Sequence, residues 1–206
     1  MIDYFALLNE PKRPWLDPDL LKNKFFAISA VAHPDRSHIG SDAEKQAAND
    51  RYSEINTAYN CLREPKERLL HLLELERGMK PADIERIPAG AMELFMEAVQ
   101  VCRAVDGFLA DKAKVTSPLL KVHTFEQSMD WTDTLKTLQQ TLHVKREELL
   151  EELKAMNAHW ESAPEADPVD RRSVLPLARL EEIYRAISYI SRWTGQIQER
   201  VVQLSF

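Results

Sequence analysis

The chain has 206 residues, of which 44% are hydrophobic and 29% charged, and its net charge is −6. This composition excludes a disordered chain, and five glycines against eleven prolines favour helices over sheet. Residues 1–79 and residues 80–206 each have a net negative charge, so neither carries the excess of lysine and arginine that favours nucleic acid or an anionic membrane. We therefore expect no nucleic-acid or membrane partner.

The cysteine content and the start of the chain bear on location and cofactors. Cys61 and Cys102 are the two cysteines and both fall in helical patterns, which argues against a disulfide framework or a cysteine zinc site. No apolar run reaches the ~20 residues of a membrane span. The first residues resemble neither a signal peptide nor a transit peptide. We expect a cytoplasmic protein with no cofactor and no metal site.

The first strong helix signal is Asp17-Pro18-Asp19. An aspartate at the N-cap, a proline in the first turn and a second acidic residue match the preferences of a helix start. Apolar residues then recur at helical spacing, and they are Leu21, Phe25, Ile28 and Ala32. This helix is predicted to end near His33, because Pro34 disfavours helical backbone in the residue before it.

A short polar loop separates this helix from the next. Ser41 and Glu44 form a capping box, and the apolar stripe that follows is Ala48, Tyr52, Ile55, Tyr59 and Leu62. Two helices with one apolar stripe each and a short connection are expected to pack antiparallel. A shorter leucine-rich helix is predicted from Pro65 to Gly78, where the glycine suits a helix end.

The remainder of the chain predicts three long helices. They are expected at about 91–110, 129–160 and 174–204, with a proline-bearing loop over 161–172. The second has a stripe of Leu135, Leu138, Leu142, Leu149, Leu153, Met156 and Trp160, and the third has Leu180, Ile183, Ile187, Ile190, Ile197, Val201 and Leu204. The predicted fold is all-α: an N-terminal helical hairpin with flanking short helices over 1–78, and a C-terminal three-helix bundle over 79–206.

The tripeptide His33-Pro34-Asp35 lies between the two antiparallel helices. Alone it would be weak evidence, but here it ends a helix of the expected pattern and is followed downstream by the segment 55–65, INTAYNCLREP. The whole arrangement closely resembles the J-domain of DnaJ-type co-chaperones. The resemblance implies that this loop docks on a DnaK-type chaperone and triggers its ATP hydrolysis. The alternative is that His33 and Asp35 merely terminate and cap helices.

The chemistry of the tripeptide fits that role. Pro34 stiffens the loop, Asp35 can accept a bidentate bond from a partner arginine, and His33 can both donate and accept. J-domains usually have several basic residues on the preceding helix, whereas residues 25–32 here are uncharged. The basic candidates for chaperone binding are Lys22, Lys24 and Arg36, and so few charges predict slower association and weaker salt-sensitive binding.

Three segments resemble the HscB (Jac-type) family of J-domain co-chaperones in particular. They are the start DYFALLNEP (3–11), the segment PKERLLHLLEL (65–75) and the apolar tail VVQLSF (201–206). The resemblance implies a role in iron–sulfur cluster assembly. It implies two partners, a dedicated DnaK-type (HscA-like) chaperone and an IscU-like scaffold protein as the client.

In that family the client docks on the first helix of the C-terminal bundle, which matches residues 94–103 here. This helix has more apolar surface than the ~100° stripe that a bundle helix needs, so one face is available for a partner unless all of it is buried. The candidate client-binding residues are Phe95, Met96, Val99, Gln100 and Arg103.

Several alternatives stay open. The client could be a different protein, or the chain could be a J-like interaction protein that no longer couples to any chaperone. No phosphate-binding loop, dinucleotide fingerprint or nucleophile motif is present in the sequence, so we expect no enzyme activity. The six histidines are scattered and lack ligand spacing.

Overall fold

The structure is a computed structural model that describes residues 2–33, 41–81, 91–164 and 168–206. These residues form helices and connecting turns, and no strand occurs among them. In chain order the helices are α1 (Tyr4–Leu7), α2 (Pro18–Ala32), α3 (Asp42–Arg63), α4 (Pro65–Arg77), α5 (Met92–Lys112), α6 (Pro118–Ser162), α7 (Pro168–Val174) and α8 (Leu177–Leu204). The all-α prediction is confirmed.

The chain forms two compact units. The first contains α1–α4, residues 150–184 and hence the end of α6, all of α7 and the start of α8. The second contains α5, α6 up to Leu149 and α8 from Arg185. These units place residues 150–184 with α1–α4, whereas the division predicted at residue 78 places them in the C-terminal bundle. The division into domains at residue 78 stays a prediction.

Helices α2 and α3 form the predicted antiparallel hairpin. Their starts match the sequence signals: the Asp17 carboxylate accepts from the backbone N–H groups of Asp19 and Leu20, and the Ser41–Glu44 capping box is complete. The rings of Phe25 and Tyr59 stack with centroids 4.1 Å apart. Apolar residues of both predicted stripes are buried in the hairpin, and they include Leu21, Ile55 and Leu62.

Helix α4 follows the hairpin in the first unit. It begins at Pro65 and ends at Arg77, and its C-cap Gly78 has a φ of 76°, which is left-handed backbone that favours glycine. The buried Arg68 guanidinium donates from Nε to the Pro14 carbonyl (2.9 Å) and from Nη1 to the Leu62 carbonyl (2.6 Å). These bonds fix the loop before α2 and the end of α3 to α4.

The second unit is a three-helix bundle. Helices α5 and α8 run parallel, because Phe95 packs against Tyr189 and Asp106 pairs with Arg200 farther along both helices. Apolar side chains of all three helices fill its interior, and they include Ala98, Cys102, Val105, Leu135, Leu138, Leu142, Ile187, Ile190 and Ile197.

Three predicted boundaries were wrong. Helix α6 begins at Pro118 rather than near Met129, because proline suits a first helical turn and Leu119–Ser128 contain no helix breaker. The predicted loop over 161–172 contains most of α7. The last helix begins at Leu177 rather than Val174, because Pro176 cannot continue a helix from the preceding turn.

Candidate chaperone and client surfaces

His33 ends α2 in the extended backbone conformation, with φ of −63° and ψ of 129°. Its ring lies edge-on against Tyr52 of α3, with centroids 5.3 Å apart and an interplanar angle of 71°. The extended conformation is what a following proline requires, so α2 ends at the residue that the sequence predicted. Pro34, Asp35 and Arg36 lie outside the described residues.

The two lysines proposed for chaperone binding differ in their surroundings. The Lys24 ammonium donates to the Asn9 carbonyl (3.0 Å) and pairs with the Glu10 carboxylate (2.9 Å), whose side chain is buried. Asn9 has a φ of 52°, so Lys24 supports a turn in left-handed backbone. Lys22 is exposed, with its ammonium 5.9 Å from the centre of the Phe26 ring. Lys24 therefore has a structural task that Lys22 lacks.

The solvent-facing side of α2 is apolar towards its C-terminal end. Phe26 and Val31 are 56% and 72% exposed, and Ala27 and Ala30 are also exposed. These four residues form a surface on the same helix that ends at His33, and we call it the α2 apolar face. The lack of charge in this stretch is evident from the sequence, but which of its residues face solvent is not.

A polar cluster centred on Glu76 joins α4 to later parts of the first unit. The Glu76 carboxylate accepts two bonds from Arg171 of α7 (2.8 and 2.9 Å) and one from the Trp160 indole N–H of α6 (3.0 Å). The Glu76 carbonyl accepts from Arg172 Nε (2.7 Å). Arg77 adds an ion pair with Glu181 and a bond to the Leu177 carbonyl. The cluster fixes the end of α4 to residues far along the chain.

A second junction in the first unit is made by Trp15 and Asn157. The Asn157 side chain accepts from the Trp15 backbone N–H and donates to the Trp15 carbonyl, both at 3.0 Å. The Lys154 ammonium lies 5.1 Å from the centre of the Trp15 ring. Sequence reasoning missed both junctions, since a lone buried Glu or Asn in an amphipathic helix gives no signal of its distant partner.

Helix α5 presents one side to the core of the second unit and another to solvent. Phe95 is 1% exposed and packs on Tyr189 with ring centroids 5.2 Å apart. Phe95 is therefore a core residue, and its place among the predicted client-binding residues is corrected because its ring is not accessible to a partner. Met96, Gln100 and Arg103 are exposed and Val99 is half-buried.

The outward stripe of α5 also includes a residue absent from the prediction. Met92 is 43% exposed and lies one turn before Met96. Two methionines at i and i+4 give an adaptable apolar surface, since methionine side chains are flexible and polarisable. Glu93 and Glu97 are exposed beside them. We call Met92, Met96, Val99, Gln100 and Arg103 the α5 outer face.

The titratable groups give no sign of a reactive centre in the described ranges. Burial raises the pKa of the Cys61 thiol to about 11, so this cysteine is poorly ionised at neutral pH. The described residues contain no group of three or more histidine, cysteine or acidic side chains placed to hold a metal ion. Among them, no helix is both long enough and apolar enough to cross a bilayer.

Comparison with known proteins gives a result for the fold. No protein-family model matches the chain. The structure is similar to the chaperone HscB from Vibrio cholerae, with a TM-score of 0.65 and 20% identity over 98% of this chain and 99% of that chain.

A second solved structure agrees. The human co-chaperone protein HscB has a TM-score of 0.61 and 18% identity, over 97% of this chain and 82% of that chain. Both likenesses extend over nearly the whole of this chain, so they concern the hairpin and the bundle together. The chain has the HscB fold, and the fold implied by the sequence resemblance is confirmed.

Proposed function

We propose that this protein is an HscB-type J-domain co-chaperone that stimulates a DnaK-type (HscA-like) ATPase and delivers an IscU-like iron–sulfur scaffold protein to it. One observation carries the proposal. Helix α2 of the hairpin ends at His33, directly before Pro34 and Asp35 in sequence, within a chain that has the HscB fold over 98% of its length. The proposed role requires no chemistry in this chain, since ATP hydrolysis occurs in the partner.

The proposed chaperone surface combines the tripeptide with the end of α2. His33 is held at the helix end against Tyr52, so the backbone enters the loop in a defined direction. Asp35 would supply a carboxylate to a partner arginine, and Lys22 and Arg36 would supply the basic charge. Such contacts act by binding one state of the ATPase better than the other, which shifts its conformational equilibrium.

Lys24 contributes to this surface indirectly. Because its ammonium is paired with Glu10 and bonded to the Asn9 carbonyl, we assign it to holding the turn after α1 against α2. Fewer basic side chains are then available to bind the chaperone than the sequence predicted. This favours, as a second candidate, a J-like interaction protein that is uncoupled from any chaperone.

An ATPase assay separates these two functions. The purified DnaK-type chaperone of the same organism is assayed alone, with this protein, and with its His33→Gln variant. The matched control is His143→Gln, since His143 is exposed on α6 and belongs to the other compact unit. Stimulation that is lost in His33→Gln and retained in His143→Gln supports the co-chaperone. An unaltered protein that gives no stimulation identifies the uncoupled alternative.

The client surface is proposed to be the α5 outer face. Its apolar side chains are accessible, Arg103 gives it a positive charge, and the exposed Glu93 and Glu97 lie beside it. Calorimetric titration with the scaffold protein of the same organism tests the client. Micromolar or tighter binding that is weakened by Met96→Asp supports an iron–sulfur client. A folded protein that does not bind the scaffold would indicate a different client for the same helix.

A further inference from the structure

The second unit has an exposed apolar surface that the proposed function does not use. It lies on the first turns of α6, which precede the helix start predicted near Met129. Val122, Phe125 and Met129 are 56–61% exposed there, and the C-terminal Phe206 is 94% exposed. Isolated exposed apolar residues are ordinary, but a cluster of four large ones on one surface marks an interaction site.

Two grooves adjoin this cluster, one on each side of Phe125. The first has a volume of about 460 Å³ and includes Phe206 and Lys121 in its wall. The second has a volume of about 300 Å³ and includes Met129 and Asp133. Leu204 and Ser205 line both grooves, so the two form one continuous surface. A ligand that fits it must therefore extend along α6.

The residues along this part of α6 follow a pattern whose charges exchange when its direction is reversed. Lys121, Phe125, Met129 and Asp133 are each four residues apart, so their side chains form one ridge on the helix. All four are exposed. The ridge has a positive end, two apolar side chains in the middle and a negative end, and it spans roughly 18 Å at 1.5 Å per residue.

Such a ridge is complementary to an antiparallel copy of itself. A two-fold axis at the midpoint of the ridge, near residue 127, would place Phe125 against the partner's Met129 and Lys121 against the partner's Asp133. The side chains of Lys121 and Asp133 are both available to form these intermolecular ion pairs. The Lys121 ammonium makes no ion pair with any described residue, and Asp133 has a 4.0 Å contact with the exposed Lys136 that contributes little. A closed two-fold interface requires this self-complementarity.

We propose that this surface binds a second copy of the chain through an isologous interface centred between Phe125 and Met129. The four exposed apolar side chains offer roughly 100 Å² each, since aromatic residues bury 150–250 Å² when fully covered. The apolar area is therefore about 400 Å² per copy, which corresponds to a weak, concentration-dependent dimer rather than a permanent one. This inference is independent of the chaperone and client roles.

Sedimentation velocity of the full chain over a wide range of concentration tests the proposal. Phe125→Glu is expected to abolish the dimer, and it leaves the core intact because the Phe125 ring is exposed. Lys121→Asp and Asp133→Lys are each expected to weaken the dimer about tenfold, which is about 1.4 kcal/mol. The double variant exchanges the two charges and is expected to restore the affinity.

A control variant and the opposing outcomes complete the test. Lys145→Asp changes a partly exposed lysine elsewhere on α6, whose partner is Glu148, and it is expected to leave the dimer unchanged. A protein that stays monomeric at every concentration overturns the proposal. So does a dimer whose affinity is the same in Phe125→Glu, or one that the double charge exchange fails to restore.

Discussion

Glu76 and Arg171 form a two-bond ion pair within the first unit, with Glu76 Oε1 and Oε2 accepting from Arg171 Nη2 and Nε at 2.8 and 2.9 Å. The side chains are 6% and 14% exposed, and the carboxylate also accepts from the Trp160 indole. Since the pair joins residues 95 positions apart, it fixes α7 to the end of α4 without any covalent link. Its geometry is the bidentate arrangement in which arginine pairs are strongest.

We expect Glu76→Ala to destabilise the protein by about 3–5 kcal/mol, because it leaves a largely buried guanidinium and an indole N–H without their acceptor. Urea denaturation followed by circular dichroism measures the loss. The matched control is Glu67→Ala on the same helix, where the half-exposed carboxylate pairs with Lys66 at 3.5 Å and should contribute at most about 1 kcal/mol. Equal stabilities for the two variants would show that the Glu76 cluster does not stabilise the fold.

His71 provides a pH-dependent contribution to stability. Its Nε2 accepts from the Tyr4 backbone N–H at 3.1 Å, which requires the neutral ring, and the ring stacks on Tyr4 with centroids 4.5 Å apart. Burial lowers the pKa of His71 from its ordinary 6.5. The unfolded chain therefore binds a proton at a pH where the folded chain does not, so stability falls as the pH drops below about 6.5 and levels off below the lowered pKa.

Urea denaturation between about pH 7.5 and pH 5 measures this dependence. The comparison is His71→Gln, whose amide oxygen can accept the Tyr4 N–H and does not titrate. We expect the variant to lose less stability than the unaltered protein over that interval. The control is His159→Gln at an exposed position on α6. A pH dependence that is the same in the unaltered protein and His71→Gln would assign it to other groups.

The sequence predicted those parts of the fold that local signals encode. Capping residues at Asp17 and Ser41 and the stop at Gly78 gave correct helix ends, since each of these signals acts through its nearest neighbours. Pro176 is an equally local signal, but the predicted start of the last helix at Val174 does not account for it. The partners of Glu76 and Asn157 could not be predicted, because each bond joins residues more than 80 positions apart and depends on tertiary packing.

Of the candidate site, the sequence predicts the tripeptide but not which residues of α5 are accessible. The tripeptide was found because sequence order alone defines it, whereas the accessibility of each residue on α5 depends on how the helix is rotated in its unit. Phe95 and Met96 are adjacent in sequence, yet one is buried and the other half-exposed. Periodicity identified two apolar sides of this helix but could not say which of them the bundle covers.

The α2 apolar face predicts how chaperone binding responds to salt. With Phe26, Ala27, Ala30 and Val31 exposed beside His33 and few charges available, most of the binding energy should come from apolar burial, which salt does not screen. If the chain is a co-chaperone, we expect its stimulation of the ATPase to fall less than about threefold between low and physiological ionic strength, against the much steeper loss of electrostatically steered pairs.

The ATPase assay also separates the contribution of Phe26 to chaperone binding from that of Lys22. Phe26→Ala should raise the concentration for half-maximal stimulation by about tenfold, since a buried phenylalanine contributes about 1.5–3 kcal/mol. Lys22→Ala, one turn earlier on the helix, should raise it by less than about threefold. A larger effect of Lys22→Ala than of Phe26→Ala, together with a steep salt dependence, would show that charge dominates this interface.

The neighbouring residues Phe95 and Met96 should respond differently to the same substitution. Phe95→Ala removes a ring that is 1% exposed in the core of the second unit, so we expect a loss of about 3–5 kcal/mol in stability. Met96→Ala removes a half-exposed side chain and should leave the unfolding free energy within about 0.5 kcal/mol of the original. Urea denaturation of both variants tests the assignment of the two residues.

Scaffold binding then separates the two sides of α5. We expect Met96→Ala to weaken the calorimetric affinity for the scaffold by roughly tenfold, because a central apolar contact contributes more than about 1 kcal/mol. Glu126→Ala, at an exposed position on α6, provides a surface control that should bind normally. If scaffold binding is unaffected by Met96→Ala and also by Met92→Ala, the client contacts another surface and the α5 outer face is not its docking site.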